Sequence, residues 1–157
     1  MKIKCSMCDG TGNYWLAPTE KCLTCNGTGY EEIPSPTQET NGFWIQAYGK
    51  STKNAERPGK WLLFVNKREI DDTWKKIRQE TVEERLGCSS KVSTKKGWMY
   101  HGMPDDYVIC VHTPDYKDKD DVFRVRDRLR ELGFTGKLGY KTDESTAKGK
   151  EDLLYKE

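Results

Sequence analysis

The sequence predicts an α+β protein in which an antiparallel or mixed sheet carries two helices on one face. Two observations support this class. Short apolar runs of strand length recur between residues 43 and 142, and only two segments between them have helical periodicity. A cysteine pattern repeats ahead of these runs, within residues 5–31. We therefore expect a zinc-binding module at residues 1–32, a linker at 33–42 and the α+β domain at 43–157.

The composition is that of a folded chain. Of the 157 residues, 34% are hydrophobic, 33% are charged and 11% are aromatic, and the aromatic content argues against general disorder. The net charge of +2 does not by itself indicate a nucleic-acid binder, although residues 50–68 and 85–96 are locally basic. The sequence shows neither a signal peptide nor an apolar run of membrane-spanning length. We expect a cytoplasmic protein with no membrane partner.

The first element is a repeat, in which CSMCDGTGNY at residues 5–14 recurs as CLTCNGTGYE at residues 22–31. Both copies read CxxCxGTG. Two CxxC turns supply four thiolates, the ligand set of a tetrahedral zinc site, so we predict one Zn²⁺ held by Cys5, Cys8, Cys22 and Cys25. In a reducing compartment closely spaced cysteines favour metal binding, and disulfide pairing is the alternative.

This motif resembles the CxxCxGxG zinc repeats of DnaJ-type chaperones. Two copies stand here, so the resemblance implies a knuckle with one zinc ion and does not imply a chaperone function. The zinc either only staples a loop-rich segment or holds Tyr14, Trp15 and Leu16 in a surface for a protein partner.

A segment rich in Pro, Ser and Thr then leads into the predicted α+β domain. Its strands have alternating or continuous apolar patterns, and a polar loop at 51–59 separates the first two. The predicted strands are FWIQAY (43–48), WLLFV (61–65), KVST (91–94), WMY (98–100), YVICVHT (107–113) and KLGYKT (137–142). The LLY of the polar tail returns to this body in our interpretation.

Each predicted helix lies between aspartates that can cap its start and a glycine that can stop it. These signals are Asp71 or Asp72 and Gly87 for the first helix, and Asp118 or Asp120 and Gly133 for the second.

Four segments of the body resemble the basophilic leukaemia expressed protein family, whose fold is similar to that of the cap-binding translation initiation factor. They are RPGKWLLFV (57–65), KVST (91–94), YVICVHTPDYKDKDDVFRV (107–125) and LGYKTDEST (138–146). The resemblance implies a curved, mainly antiparallel sheet with helices on its convex side and a concave face that can take a ligand.

Several side chains at strand ends are candidates for binding a phosphorylated ligand. Lysines supply charge to a phosphate, a hydroxyl supplies a directed hydrogen bond, and tryptophans can stack on a base. The candidate residues are Lys60, Trp61, Lys91, Trp44, Trp98, His112, Lys141 and Thr142. The predicted ligand is a phosphorylated small molecule, a nucleotide or single-stranded RNA; the alternative is that each lysine is a solvated strand end.

Binding is favoured over catalysis, and no catalytic residue is assigned. The sequence contains no GxSxG, Walker or HExxH motif. Members of the resembled family have been labelled phosphothreonine lyases, which implies a phosphate-eliminating reaction with a lysine base and a histidine acid. His112 is the candidate acid if the protein is such an enzyme.

Overall fold

The computed structural model describes residues 1–51 and 54–157, which form two compact units, Met1–Ser35 and Pro36–Glu157. Thr52 and Lys53, in the predicted polar loop, lie outside the described residues. Residues 36–42, which lie in the predicted linker 33–42, belong to the second unit. The Lys95 amide donates to the Pro36 carbonyl at 2.8 Å, and the Thr37 hydroxyl donates to the Asp71 carboxylate at 2.6 Å.

The first unit is a loop-rich module closed by a two-stranded antiparallel sheet. Strand β1 (Lys2–Lys4) pairs with β2 (Tyr30–Glu32), and Ile3 between them is buried. The two cysteine repeats lie between these strands, and each repeat forms a tight turn.

The second unit is an α+β domain built on one six-stranded sheet. Its strands are β3 (Trp44–Tyr48), β4 (Gly59–Asn66), β5 (Ser89–Ser93), β6 (Asp106–Thr113), β7 (Gly139–Thr142) and β8 (Tyr155–Lys156). Its helices are α1 (Ile70–Val82), α2 (Lys95–Tyr100), α3 (Lys119–Glu131) and α4 (Asp143–Ala147). The strand order is β3-β5-β6-β4-β7-β8, and every recorded pair is antiparallel. The predicted α+β class with a mainly antiparallel sheet is confirmed.

The core lies between one face of this sheet and the two long helices. Trp61 on β4 is fully buried, stands opposite Val111 on β6, and donates its indole N–H to the Val122 carbonyl of α3 at 2.9 Å. The Thr81 hydroxyl of α1 is hydrogen-bonded at 2.8 Å to Ser90, which pairs with Val111. Both helices therefore pack on the same sheet face, as predicted.

A buried carboxylate joins the two long helices. Glu80 of α1 is 8% exposed and accepts hydrogen bonds from Arg128 of α3 at 2.9 Å and from Arg85 at 2.8 Å. Burial disfavours its charge, but the two guanidinium groups outweigh that effect and lower the pKa of Glu80.

The strand predicted at residues 98–100 is wrong, because these residues end helix α2. Thr94 starts this helix by accepting a hydrogen bond from the Gly97 amide at 3.1 Å, which is the geometry of an N-cap. Helix α1 also ends earlier than predicted, at Val82, because Glu84 adopts a left-handed conformation with φ of 59°. The cap of α3 is confirmed, since Asp118 accepts from the Asp121 amide.

Within residues 1–51 and 54–157, the structure contains no helix with the length and hydropathy needed to cross a membrane.

Candidate functional site

The four cysteines of the repeat converge on one point in the first unit. Their sulfurs all lie within 4.8 Å of one another, and all four side chains are buried. Cys5 and Cys22 have sulfurs 3.9 Å apart, and Cys8 and Cys25 have sulfurs 3.7 Å apart. A metal held by four thiolates at ~2.3 Å places its sulfurs ~3.8 Å apart, whereas a disulfide requires ~2.05 Å. The cluster therefore fits a metal ion and not disulfide pairing.

Two glycines allow the repeats to approach each other around this cluster. Gly12 and Gly29 have φ of +83° and +78°, and a Cβ on either would lie within 2.5 Å of a carbonyl oxygen of the other repeat. Their amides donate to sulfur, Gly12 to Cys8 at 3.3 Å and Gly29 to Cys25 at 3.2 Å. Glycine alone accepts both the positive φ and the close approach of the other repeat, which explains the second glycine of each GTG.

The surroundings of Cys25 favour its thiolate form. Burial opposes a thiolate at Cys25, but the Gly29 amide and the neighbouring thiols outweigh it and lower the pKa of Cys25 to about 6. Burial instead raises the pKa of Cys5 to about 12. A cation at the centre would supply the charge that keeps the whole set deprotonated.

In the second unit, the sheet face opposite α1 and α3 carries most of the predicted ligand-binding side chains. We call it the open face. Side chains alternate along a strand, so Lys60 points away from its buried neighbour Trp61. The strand register places His112 and Lys141 on either side of Lys60, and places Lys91 one row further on, opposite Cys110.

One feature of the open face is a cavity of about 580 Å³, which we call the aromatic cavity. Its wall contains Trp44 from β3 and Trp98 from α2. Trp98 is held in place by stacking on Tyr107, with ring centroids 5.7 Å apart and planes 6° apart, and by an indole hydrogen bond to Pro104. The structure thus brings together two tryptophans that lie 54 residues apart in the numbering.

A lysine ammonium lies over each of three aromatic rings that line the aromatic cavity. The ammonium groups lie 4.2 to 5.5 Å from the ring centroids. The pairs are Lys91 over Trp44, Lys96 over Phe43 and Lys67 over Trp98. Ammonium groups therefore lie over three rings of the cavity, and its wall contains Lys141 together with Asp105, Asp106 and Glu151. The rings suit the aromatic part of a ligand, and the ammonium groups can pair with an anionic part.

Lys60 and Lys141 are cross-strand neighbours with different surroundings. The Lys60 side chain is 8% exposed, and its ammonium donates to Asp143 at 2.6 Å and to the Thr146 hydroxyl at 2.9 Å. Lys141 lines the aromatic cavity, and its ion-pair partner Glu151 is 3.7 Å away and 97% exposed. A ligand phosphate can replace Glu151 at small cost, whereas at Lys60 it would have to displace a carboxylate hydrogen-bonded at 2.6 Å to a buried ammonium.

His112 lines a second, smaller cavity of about 310 Å³ on the open face, which we call the histidine recess. Burial lowers the pKa of His112 to about 4, and the charges of Lys91 and Lys60 act in the same direction while Asp143 opposes them. The imidazole is therefore neutral at pH 7, which weighs against the role of general acid in the lyase hypothesis.

The structure sorts the predicted ligand-binding residues into three groups. Trp44, Trp98 and Lys141 line the aromatic cavity, and Lys91 and His112 line the histidine recess. Lys60, Trp61 and Thr142 are not among the residues that line either cavity. Lys60 pairs with Asp143, Trp61 fills the core, and Thr142 caps α4 by accepting from the Ser145 amide.

Sequence reasoning missed several residues that line the aromatic cavity. Phe64 is 65% exposed on β4, two alternations after Lys60, so strand parity places it on the open face. Asp105 and Asp106 also contribute to the wall. Their carboxylates can accept hydrogen bonds from the edge of a bound base.

Comparison with known proteins agrees with this architecture. The family described as Basophilic leukemia-expressed protein Bles03 matches residues 47–146, roughly two thirds of the chain. The structure of a complex of C. elegans eIF4E-3 with the 4E-binding protein Mextli and cap analog superposes with a TM-score of 0.53. It is 17% identical, over 71% of this chain and 68% of that one. At this identity the likeness concerns the fold alone.

A second initiation factor structure is more distant. The complex of Ascaris suum eIF4E-3 with m2,2,7G cap is 19% identical over 53% of this chain and 49% of that one, and its TM-score is 0.41.

Proposed function

Because the chain belongs to the Basophilic leukemia-expressed protein Bles03 family, whose matched region includes most of the open face, we propose that it binds a phosphorylated ligand, a nucleotide or single-stranded RNA, in the aromatic cavity. The carrying observation is the combination, in one cavity of about 580 Å³, of two tryptophans with the weakly paired ammonium of Lys141. The eIF4E-3 structure that shares the fold contains a cap analog, which is itself a nucleotide ligand. This likeness supports the ligand class.

The proposed roles follow from the surroundings of each side chain. Trp44 supplies a ring face for a base, Trp98 forms part of the surrounding wall, and Lys141 binds a phosphate in place of Glu151. Lys91, whose ammonium lies 4.2 Å from the Trp44 ring centroid, is close enough to that ring to reach a phosphate attached to a stacked nucleotide. Lys60 is left out because Asp143 and α4 already satisfy its ammonium.

The test is a Trp44→Ala variant titrated against a fluorescein-labelled short oligouridylate by fluorescence anisotropy. Losing one stacked base costs ~1–3 kcal/mol, so the affinity should fall about fivefold to 150-fold. Trp15→Ala is the matched control, because this tryptophan is 80% exposed in the first unit. Affinities within twofold of the wild type for Trp44→Ala would refute the assignment of this cavity.

We also propose that the metal of the four-cysteine cluster is a single Zn²⁺. Four thiolates in tetrahedral arrangement suit zinc, and the amides of Gly12 and Gly29 donate to the sulfurs as outer-shell partners do in zinc sites. Native mass spectrometry of the freshly purified protein should show one zinc ion per chain. Metal analysis that finds iron instead, or no metal in protein purified without chelators, would contradict this assignment.

A second candidate function for the zinc module is capture of a protein partner. One observation favours it: Trp15 is 80% exposed and Leu16 is 97% exposed, although both are large apolar side chains. A double Trp15→Ala, Leu16→Ala variant should retain its metal and lose a partner that the wild type captures. Retention of the same partner by the variant would leave the module with a structural role only.

A further inference from the structure

The histidine recess has the composition of a polar binding site. Its wall includes Tyr48, Ser89, Lys91 and His112. Asp143 also lines it, but the carboxylate is paired with Lys60 at 2.6 Å, so its negative charge is compensated. These residues therefore present no unpaired carboxylate that would repel an anion bound in the recess.

The imidazole in the recess has an unsatisfied nitrogen. Nδ1 of His112 is buried and has no hydrogen-bond partner among the described residues. Buried polar atoms are nearly always paired, so an orphan in the wall of a cavity calls for an explanation. A rotation of the imidazole that brings Nδ1 to the recess would let a ribose hydroxyl or a base edge of a ligand supply the missing partner.

Lys91 connects this recess with the aromatic cavity. Its side chain lines the recess, while its ammonium lies over the ring of Trp44, which lines the aromatic cavity. Along β3, Trp44 and Tyr48 occupy the same face four residues apart, a separation of ~13 Å along the strand. An ammonium placed between two cavities is well positioned for a phosphate that joins two nucleosides.

We infer that the ligand of the open face is a single-stranded oligonucleotide of at least two units, with one base in the aromatic cavity, the linking phosphate at Lys91 and the second nucleoside in the histidine recess beside Tyr48 and His112. This inference rests on the proposed function and specifies its ligand. It assigns Tyr48, 63% exposed on an edge strand, as the stacking surface for the second base.

The experiment compares UMP with the dinucleotide pUpU by isothermal titration calorimetry. The wild type should bind pUpU about fivefold or more tightly than UMP, because the second base adds a stacking contact. Tyr48→Ala should reduce the affinity for pUpU to that for UMP and leave UMP binding unchanged. His112→Gln tests the same recess through its hydrogen bond and should weaken pUpU selectively. Tyr30→Ala, which removes a tyrosine that is 56% exposed in the first unit, is the control.

The possible outcomes distinguish failure of this inference from failure of the proposed function. Equal affinities for UMP and pUpU overturn the two-nucleotide ligand and leave the aromatic cavity as a mononucleotide site. A pUpU preference that survives both Tyr48→Ala and His112→Gln overturns the histidine recess as the second site. Failure of the wild type to bind either compound overturns the proposed function together with this inference.

Discussion

Lys60 and Lys141 face each other across β4 and β7, yet the structure predicts opposite consequences of removing their charges. Lys60→Met keeps the length of the aliphatic stem and deletes the ammonium that bonds to Asp143 at 2.6 Å and Thr146 at 2.9 Å. Lys141→Met deletes an ammonium whose partner Glu151 is 3.7 Å away. The pair is a matched comparison, since both lysines occupy the open face.

The expected cost for Lys60→Met can be worked out from its contacts. Hydrogen bonds to charged groups contribute ~1.5–3 kcal/mol each, but Asp143 is 38% exposed and regains water when the lysine is lost. We therefore expect a loss of about 2 kcal/mol in the free energy of unfolding. For a domain of this size the corresponding drop in Tm is about 6 to 8 °C. Lys141→Met should change the free energy of unfolding by less than about 0.5 kcal/mol, because its partner is 97% exposed.

Urea unfolding gives the stability of each variant, and oligouridylate anisotropy gives its affinity. Lys141→Met should bind more weakly at nearly wild-type stability, and Lys60→Met should bind within about twofold of wild type at temperatures where it is folded. A Lys60→Met protein that is as stable as wild type, or that loses affinity as Lys141→Met does, would refute the reasoning that separates the two lysines.

Two further predictions concern the metal and the buried carboxylate. Cys25→Ser, or a strong chelator, should unfold residues 1–35 and leave the second unit folded, because the buried apolar side chains of the first unit are Ile3 and the cysteines. Residue-resolved hydrogen exchange measures this. Amide protection that is retained in residues 1–35 without metal would contradict the prediction. Glu80→Gln should lower stability by about 2–4 kcal/mol at pH 7, because Arg85 and Arg128 lose their shared carboxylate. Since the pKa of Glu80 is lowered in the folded state, this stabilisation is complete above the ordinary pKa of 4.5 and is lost as the pH falls through the pKa of the folded state. The free energies of unfolding of wild type and Glu80→Gln should therefore converge in acid. A difference that stays constant down to low pH would contradict the prediction.

Local sequence signals were sufficient for most of the fold. Continuous or alternating apolar runs located β3, β4, β6 and β7, and the Asp118 cap located the start of α3. The segment at 98–100 was misassigned because its aromatic composition favours a strand, while the deciding feature is the Thr94 cap that precedes the short helix.

The candidate site was only partly accessible from sequence. Strand parity alone separates Lys60 from Trp61, because neighbours in one strand point to opposite faces, and that argument removes Trp61 from any shared pocket. The pairing that occupies Lys60 could not be foreseen, since Asp143 lies 83 residues further along the chain. The cysteine cluster was fully specified because each of its two turns is local and the ligand spacing is fixed by the repeat.

The most direct test of the central claim is an NMR titration that follows the indole N–H signals of the five tryptophans as unlabelled oligouridylate is added. The signals of Trp44 and Trp98 should show the largest shifts, because both rings line the aromatic cavity. Trp61 and Trp74, which are fully buried, and Trp15 in the first unit should move little. Saturable binding with Trp44 and Trp98 unmoved, or no binding at all, would contradict the assignment of the open face as a nucleotide-binding surface.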